Sequence, residues 1–174
     1  MPDIVLDHPF RVQVSDLIRR PGARRHISLS GSMLIELDQL DECGPVGADL
    51  RIEELGGGIL VRGDVKAPMW LRCNRCLGLV SFDATAPIVQ VYGEEAGEDI
   101  LPIDPDGVID LFAVLHDELC LSVPLVPLCS GACRGLCPTC GSDLNVDPCE
   151  GHSEARGSPF AALGAWLETS PGLD

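Results

Sequence analysis

Ile59-Leu60-Val61-Arg62-Gly63-Asp64-Val65, then Trp70-Leu71-Arg72-Cys73-Asn74-Arg75-Cys76, then Val80, Phe82, Ala84 and Ile88 to Tyr92, is the stretch whose reading decides the fold. Apolar residues recur at roughly period two on both sides of Cys73–Cys76, so each side is a strand with one face inward. The cysteine pair falls where the hairpin turn belongs. Working upstream, the same alternation runs from Ile27 to Leu37 and from Val46 to Glu54, with Gly56-Gly57-Gly58 as the break before Ile59. Successive strands joined by short turns make an antiparallel meander. The fold class that follows is α+β, built on a curved antiparallel sheet or partly open β-barrel.

Further out, Phe10, Val12 and Val14 read as an opening strand, and Ser15 to Arg20 as a helical turn stopped by Pro21-Gly22. Residues 93–107 are acidic and broken by Gly and Pro, which reads as a long surface loop. One main helix is expected over about 110–121. Asp110 serves there as N-cap, and Leu111, Val114, Leu115, Glu118 and Leu119 form a stripe at i, i+3, i+4, i+7 and i+8. Pro124 and Pro127 end it. Ser158-Pro159 then opens a short helix, about 159–168, with Phe160, Leu163, Trp166 and Leu167 on one face. The chain thus divides into a β-rich domain, 1–125, and a metal-binding tail, 126–174.

The tail carries Cys129, Cys133, Cys137, Cys140, Cys149 and His152, and Cys73 and Cys76 lie far upstream. A C-x-x-C turn aims two thiolates at one ion, and Gly141 suits the tight turn after Cys140. Cys137, Cys140, Cys149 and His152 can close one tetrahedral zinc site. Cys129 and Cys133 can join Cys73 and Cys76 in a second, pinning the following chain to the sheet. The expectation is two structural Zn2+, or one if the upstream pair stays free. A competing single site takes Cys129 or Cys133 with Cys137, Cys140 and Cys149 and leaves His152 on the surface. Cys43 and Cys120 have no partner at ligand spacing and read as buried apolar fillers.

Net charge is −15, unevenly spread. Residues 1–75 hold ten basic and eleven acidic side chains, and residues 76–174 hold two and sixteen. Between Cys76 and Cys133 there is no Lys or Arg, which favours basic partners and repels phosphate. Arg19, Arg20, Arg24, Arg25 and His26 form the one basic cluster. No nucleophile elbow, P-loop or paired helix histidines occur, and His8, His26 and His116 are scattered, so no enzyme activity and no small-molecule substrate are expected. The start lacks a basic and apolar leader, and the longest apolar run, Leu119 to Leu128, is broken by Ser122, Pro124 and Pro127. A cytoplasmic protein away from membranes is expected, its nine cysteines reduced.

Leu71 to Leu77, Asp110 to Leu119, Val123 to Pro127, the array from Pro127 to Gly141 with Asp143-Leu144-Asn145, and Ser158 to Leu163 together resemble the YceD family, over about Phe10 to Leu167. The cysteine-rich tail is similar to one form of its C-terminus. The resemblance implies a role in accumulation of large-subunit ribosomal RNA, hence ribosome biogenesis. Since some relatives lack most tail cysteines, it also implies that metal stabilises this version of the protein.

Three readings follow. In the first, the acidic half, with Glu94, Glu95, Glu98 and Asp99 at its centre, holds a basic ribosomal protein or docks on a pre-ribosomal large subunit. In the second, Arg19, Arg20, Arg24 and Arg25 bind rRNA directly, helped by Arg72 and Arg75. In the third, Cys73 and Cys76 act as a thiol redox switch or zinc-releasing sensor, with Arg72 and Arg75 lowering their pKa.

Overall fold

Two long strands organise the fold: β5, Gly58–Arg72, and β6, Leu79–Gly93, pair antiparallel from Ile59↔Tyr92 to Arg72↔Leu79, with the Cys73–Cys76 turn between them. The structure is a computed structural model that describes residues 9–18, 20–95, 97, 99–147, 149 and 151–152. The chain divides into two compact units, Met1–Cys133 and Arg134–Asp174.

In the first unit, β2 (Arg24–Gly31) and β4 (Val46–Leu55) extend the hairpin on one side, and β7 (Ile100–Pro102) pairs in parallel with the end of β6. The sheet order is β2-β4-β5-β6-β7, with β3 (Leu40–Cys43) on the far end of β5. This is a curled, open, half-barrel sheet, as the strand periodicity predicts. A small second ladder joins β1 (Arg11–Gln13) to β8 (Val108–Asp110).

Curling needs a local bend, and Gly63 supplies it with φ +154° in the middle of β5. A Cβ there would stand 2.0 Å from the Asp49 carbonyl oxygen and 2.9 Å from Leu50 Cα on β4. Gly63→Ala is therefore expected to cost about 3 kcal/mol, read as a lower urea midpoint with unchanged slope. Pro68 does not interrupt β5. Its carbonyl accepts from Gly44 N at 2.8 Å, so its missing N–H faces that same side. There β4 has already ended, at Gly47↔Lys66, and β3 pairs only beyond, at Cys43↔Met69.

Helix α1, Phe112–Ser122, lays Leu115 and Leu119 into the core, both fully buried. Its N-cap position is Leu111, not Asp110. Asp110 ends β8 instead, and its carboxylate accepts from Phe112 N at 2.8 Å. Val123 is extended, as a residue before proline must be, and the helix stops there. Tyr92, 1 % exposed, ties β6 to this region by donating to the Asp110 carbonyl at 2.9 Å, and burial pushes its phenol pKa up.

Several local expectations are corrected. The strand expected over Ile27–Leu37 ends at Gly31. Segment 93–107 holds β7 and is partly ordered by pairing, while β3, with Asp41 and Glu42 at its centre, escapes the period-two pattern. Both are short edge strands, where pairing partners rather than side-chain alternation define the element. The helix expected over about 159–168 lies outside the described residues.

Candidate metal centres

Strand pairing alone brings Cys73 and Cys76 to the tip of the β5–β6 hairpin. The turn is closed by Leu77 N donating to Cys73 O and Cys73 N donating to Gly78 O, both at 2.9 Å. The chain leaving α1 runs past this tip, since Asn74 N donates to Pro127 O at 2.9 Å. A further turn, Cys133 N to Ser130 O at 3.1 Å, folds Cys129 and Cys133 over the same point. Arg75 Nη1 donates to Cys133 O at 2.8 Å and fixes that approach.

The four Sγ atoms lie within 4.8 Å of one another. Cys73 and Cys133 sulfurs are 3.9 Å apart, and Cys76 and Cys129 sulfurs 3.7 Å. A disulfide needs ~2.0 Å, whereas two thiolates on a tetrahedral zinc at ~2.3 Å stand about 3.8 Å apart. The spacing fits a shared ion and excludes a bond. Cys73 and Cys133 are buried at 0 % and 3 % exposure, with Cys129 on the outside.

In the second unit, Cys137 and Cys140 form a turn of the same design. Gly141 N donates to Cys137 O at 2.9 Å and Cys137 N to Ser142 O at 2.8 Å. Leu144 N donates to Gly135 O and Arg134 N to the Asn145 side-chain oxygen, so the chain doubles back. Cys149 is thereby set 3.6 Å from Cys137, and the ligand atoms of Cys137, Cys140, Cys149 and His152 all lie within 4.8 Å. The competing set that draws Cys129 or Cys133 into this cluster is not the one assembled.

Backbone N–H groups of Cys76, Cys129 and Arg75 hold the Cys73 thiol down at about 6. Those of Cys140 and Thr139 do the same for Cys137, also about 6. Both are thiolates at neutral pH, the form that ligates metal. Cys129 goes the other way, to about 12, because its protonated thiol hydrogen-bonds to the sulfurs of Cys133 and Cys76, with burial and the charge of Cys133 adding to the rise. Ser142 and His152 lower the Cys140 thiol, and Cys140 in turn raises His152.

The remaining sequence candidates are dispersed. Cys43 and Cys120 pack against the core, with burial raising both thiols, and Cys120 Sγ lies 3.7 Å from His116 Nε2. His26 Nε2 accepts from Arg51 at 3.1 Å. Arg20 and Arg24 are exposed. Arg25 is engaged, reaching Asp16 at 3.4 Å and the Gln13 carbonyl. Glu94, Glu95 and Asp99 are exposed, while His8, Arg19 and Glu98 lie outside the described residues. The supporting role of Arg75 at Cys133 had no signal in the sequence. It depends on a contact between positions 58 residues apart.

No helix among the described residues is long and apolar enough to cross a membrane. No solved structure matches the chain. The family model described as large ribosomal RNA subunit accumulation protein YceD matches residues 61–166, from β5 through both cysteine clusters. An uncharacterized protein of Mycobacterium leprae is 31 % identical over 165 residues, covering 88 % of this chain and 75 % of the relative. One from Mycobacterium tuberculosis is 32 % identical over 157 residues, covering 84 % and 76 %. A chloroplastic protein of Arabidopsis thaliana, large ribosomal RNA subunit accumulation protein YCED homolog 1, is 31 % identical over 68 residues, 38 % of this chain and 21 % of the relative. The family match takes in the long hairpin, the helix and the cysteine turns that build the two clusters, and the mycobacterial similarity extends it upstream, so the chain belongs to the YceD family.

Proposed function

We propose that this protein is a non-enzymatic cytoplasmic factor in large-subunit ribosome biogenesis, stabilised by two structural zinc ions. The family match over residues 61–166 is the observation that carries the reading. Two domains serve it, a β-rich domain over 1–125 and a zinc-held tail over 126–174. Cys73, Cys76, Cys129 and Cys133 would hold one zinc and Cys137, Cys140, Cys149 and His152 the other. Each set fills a four-ligand shell, leaving no open position for water, so the ions crosslink the chain instead of activating a reactant.

The acidic half is the partner surface. Newly made ribosomal proteins are strongly basic, and a chain with no Lys or Arg between Cys76 and Cys133 offers them a polyanion that competes with RNA. Glu94, Glu95 and Asp99, exposed beside β7, with Glu98 in the same segment, are the side chains assigned to that contact. Deleting the gene is expected to lower large-subunit rRNA relative to small-subunit rRNA by at least about twofold, with recovery on re-expression. Unchanged rRNA in the deletion strain would remove the reading. The redox alternative is disfavoured by the full burial of Cys73, since a reactive thiolate must be reachable.

A further inference from the structure

The main sheet ends on one side in β7, three residues long, and on the other in β2, which runs eight residues without a bulge, a proline or a lysine. Soluble proteins normally blunt an edge of that length. Glu54 N donates to Ala23 O at 2.9 Å, which fixes the phase of the β2–β4 ladder. Arg25, Ile27, Leu29 and Gly31 are its bonded positions, so Arg24, His26, Ser28 and Ser30 turn their backbone N–H and C=O away from β4. Among the described residues no strand or loop takes these groups up. The same four residues are exposed.

A row of alternating backbone donors and acceptors selects its occupant narrowly, because only an extended polypeptide matches the spacing. Which polypeptide is written in β2 itself. Arg24, Arg25 and His26 open the strand, whereas Ser28, Leu29, Ser30 and Gly31, all uncharged, close it. Run antiparallel against a copy of itself, the strand sets its cationic half against its neutral one. One register then uses all four free positions: Arg24 opposite Ser30 and His26 opposite Ser28, with a two-fold axis at Ile27. On the inner face Ile27 meets Ile27 of the second copy, and Leu29 meets the stem of Arg25. Both apolar side chains are only half-buried within one chain, so the added strand covers them. An in-register parallel copy would stack Arg24 on Arg24, and a basic ribosomal-protein tail would add cations to the same half.

We propose that β2 is a dimerisation edge, pairing antiparallel with β2 of a second copy to make one continuous sheet across two chains. Self-pairing consumes the edge in both copies, and three-residue β7 is too short to propagate a third, so assembly closes at two. A dimer carries two copies of the acidic segment 93–107, which doubles the sites open to a basic partner on one particle. The inference goes beyond the biogenesis reading, which requires no particular oligomeric state.

Sedimentation equilibrium of the full zinc-loaded chain, between about 1 and about 100 µM, reads the mass directly. Expected is a dimer at the top of that range. Ser28→Pro removes an outward N–H and leaves the β2–β4 ladder whole, at the cost of the exposed Ser28 Oγ bond to Asp49. An edge strand tolerates such a proline, and the dimer should weaken at least about tenfold. Charge tests the register: Ser30→Glu, set opposite Arg24, should tighten the dimer about threefold, and Ser30→Arg should weaken it about as much. Zinc content and circular dichroism that match wild type show that each variant keeps the monomer fold. Should Ser28→Pro fail that check, the two Ser30 variants decide alone. A monomer at about 100 µM overturns the proposal, as does a dimer indifferent to a folded Ser28→Pro or shifted the same way by both Ser30 variants. A chain that dimerises only after removal of residues 1–8 would assign the edge to that segment and likewise end it.

Discussion

A Cys73→Ser/Cys76→Ser chain is expected to bind one zinc fewer than the wild type, and its thermal midpoint to fall by more than about 10 °C. The size follows from what the cluster connects. Cys73 and Cys76 close the β5–β6 hairpin, while Cys129 and Cys133 belong to the strand-free chain that follows α1. An ion shared by the two pairs closes a loop of more than fifty residues, Cys76 to Cys129 being 53 apart. Structural zinc sites contribute ~10 kcal/mol or more of apparent binding energy, comparable with the whole stability of a domain. Losing even half of that exceeds what a surface substitution removes.

The removed thiols also leave Cys133 buried at 3 % exposure without its sulfur partner, so little of the loss can be recovered by relaxation. Elemental analysis of metal per chain, with calorimetry of the same samples, reads both effects. One zinc in both proteins would mean that the tail cluster binds alone and that the upstream thiols are free. That result would return the redox reading to consideration. Acid should release the metal as well, because protonation competes with ligation at every thiolate. Cys73 and Cys137, held at about 6, resist longest as pH falls.

Reversing Glu94, Glu95, Glu98 and Asp99 to Lys will reduce capture of large-subunit ribosomal proteins by about tenfold at physiological salt while leaving the melting temperature within a few degrees of wild type. Each reversal changes charge by two, which takes the net charge of −15 about half-way to zero. Glu94, Glu95 and Asp99 are exposed and contribute nothing to the buried core, so the fold should tolerate the change. The difference should shrink as salt rises, because exposed charges more than a Debye length apart are screened. Pull-downs from ribosomal-protein mixtures at two ionic strengths give the answer. Capture unaffected by the reversals would show that the acidic surface serves solubility alone.

Much of this architecture is legible in the sequence because period-two burial is a local property. Ile59, Val61, Val65, Ala67, Met69 and Leu71 line the inner face of β5, and the same alternation of apolar residues marks β4 and β6. The Leu111, Leu115 and Leu119 stripe announces α1 in the same way. Short edge strands are not legible. β3 and β7 exist because β5 and β6 offer them hydrogen bonds, and their own side chains carry little alternation.

The cysteines divide along the same line. Spacing determined that Cys73 with Cys76, and Cys137 with Cys140, would each form a two-thiolate turn, since a C-x-x-C geometry is set within four residues. Which pairs meet is a long-range matter. It was decided when the β5–β6 hairpin and the exit from α1 brought positions 73 and 133 to 3.9 Å, leaving Cys149 beside Cys137 at 3.6 Å. The positive φ of Leu77, +62°, in the turn after Cys76 belongs there too. A backbone dihedral is fixed by the hydrogen bonds that close the turn, and nothing in the residue's identity foretells it.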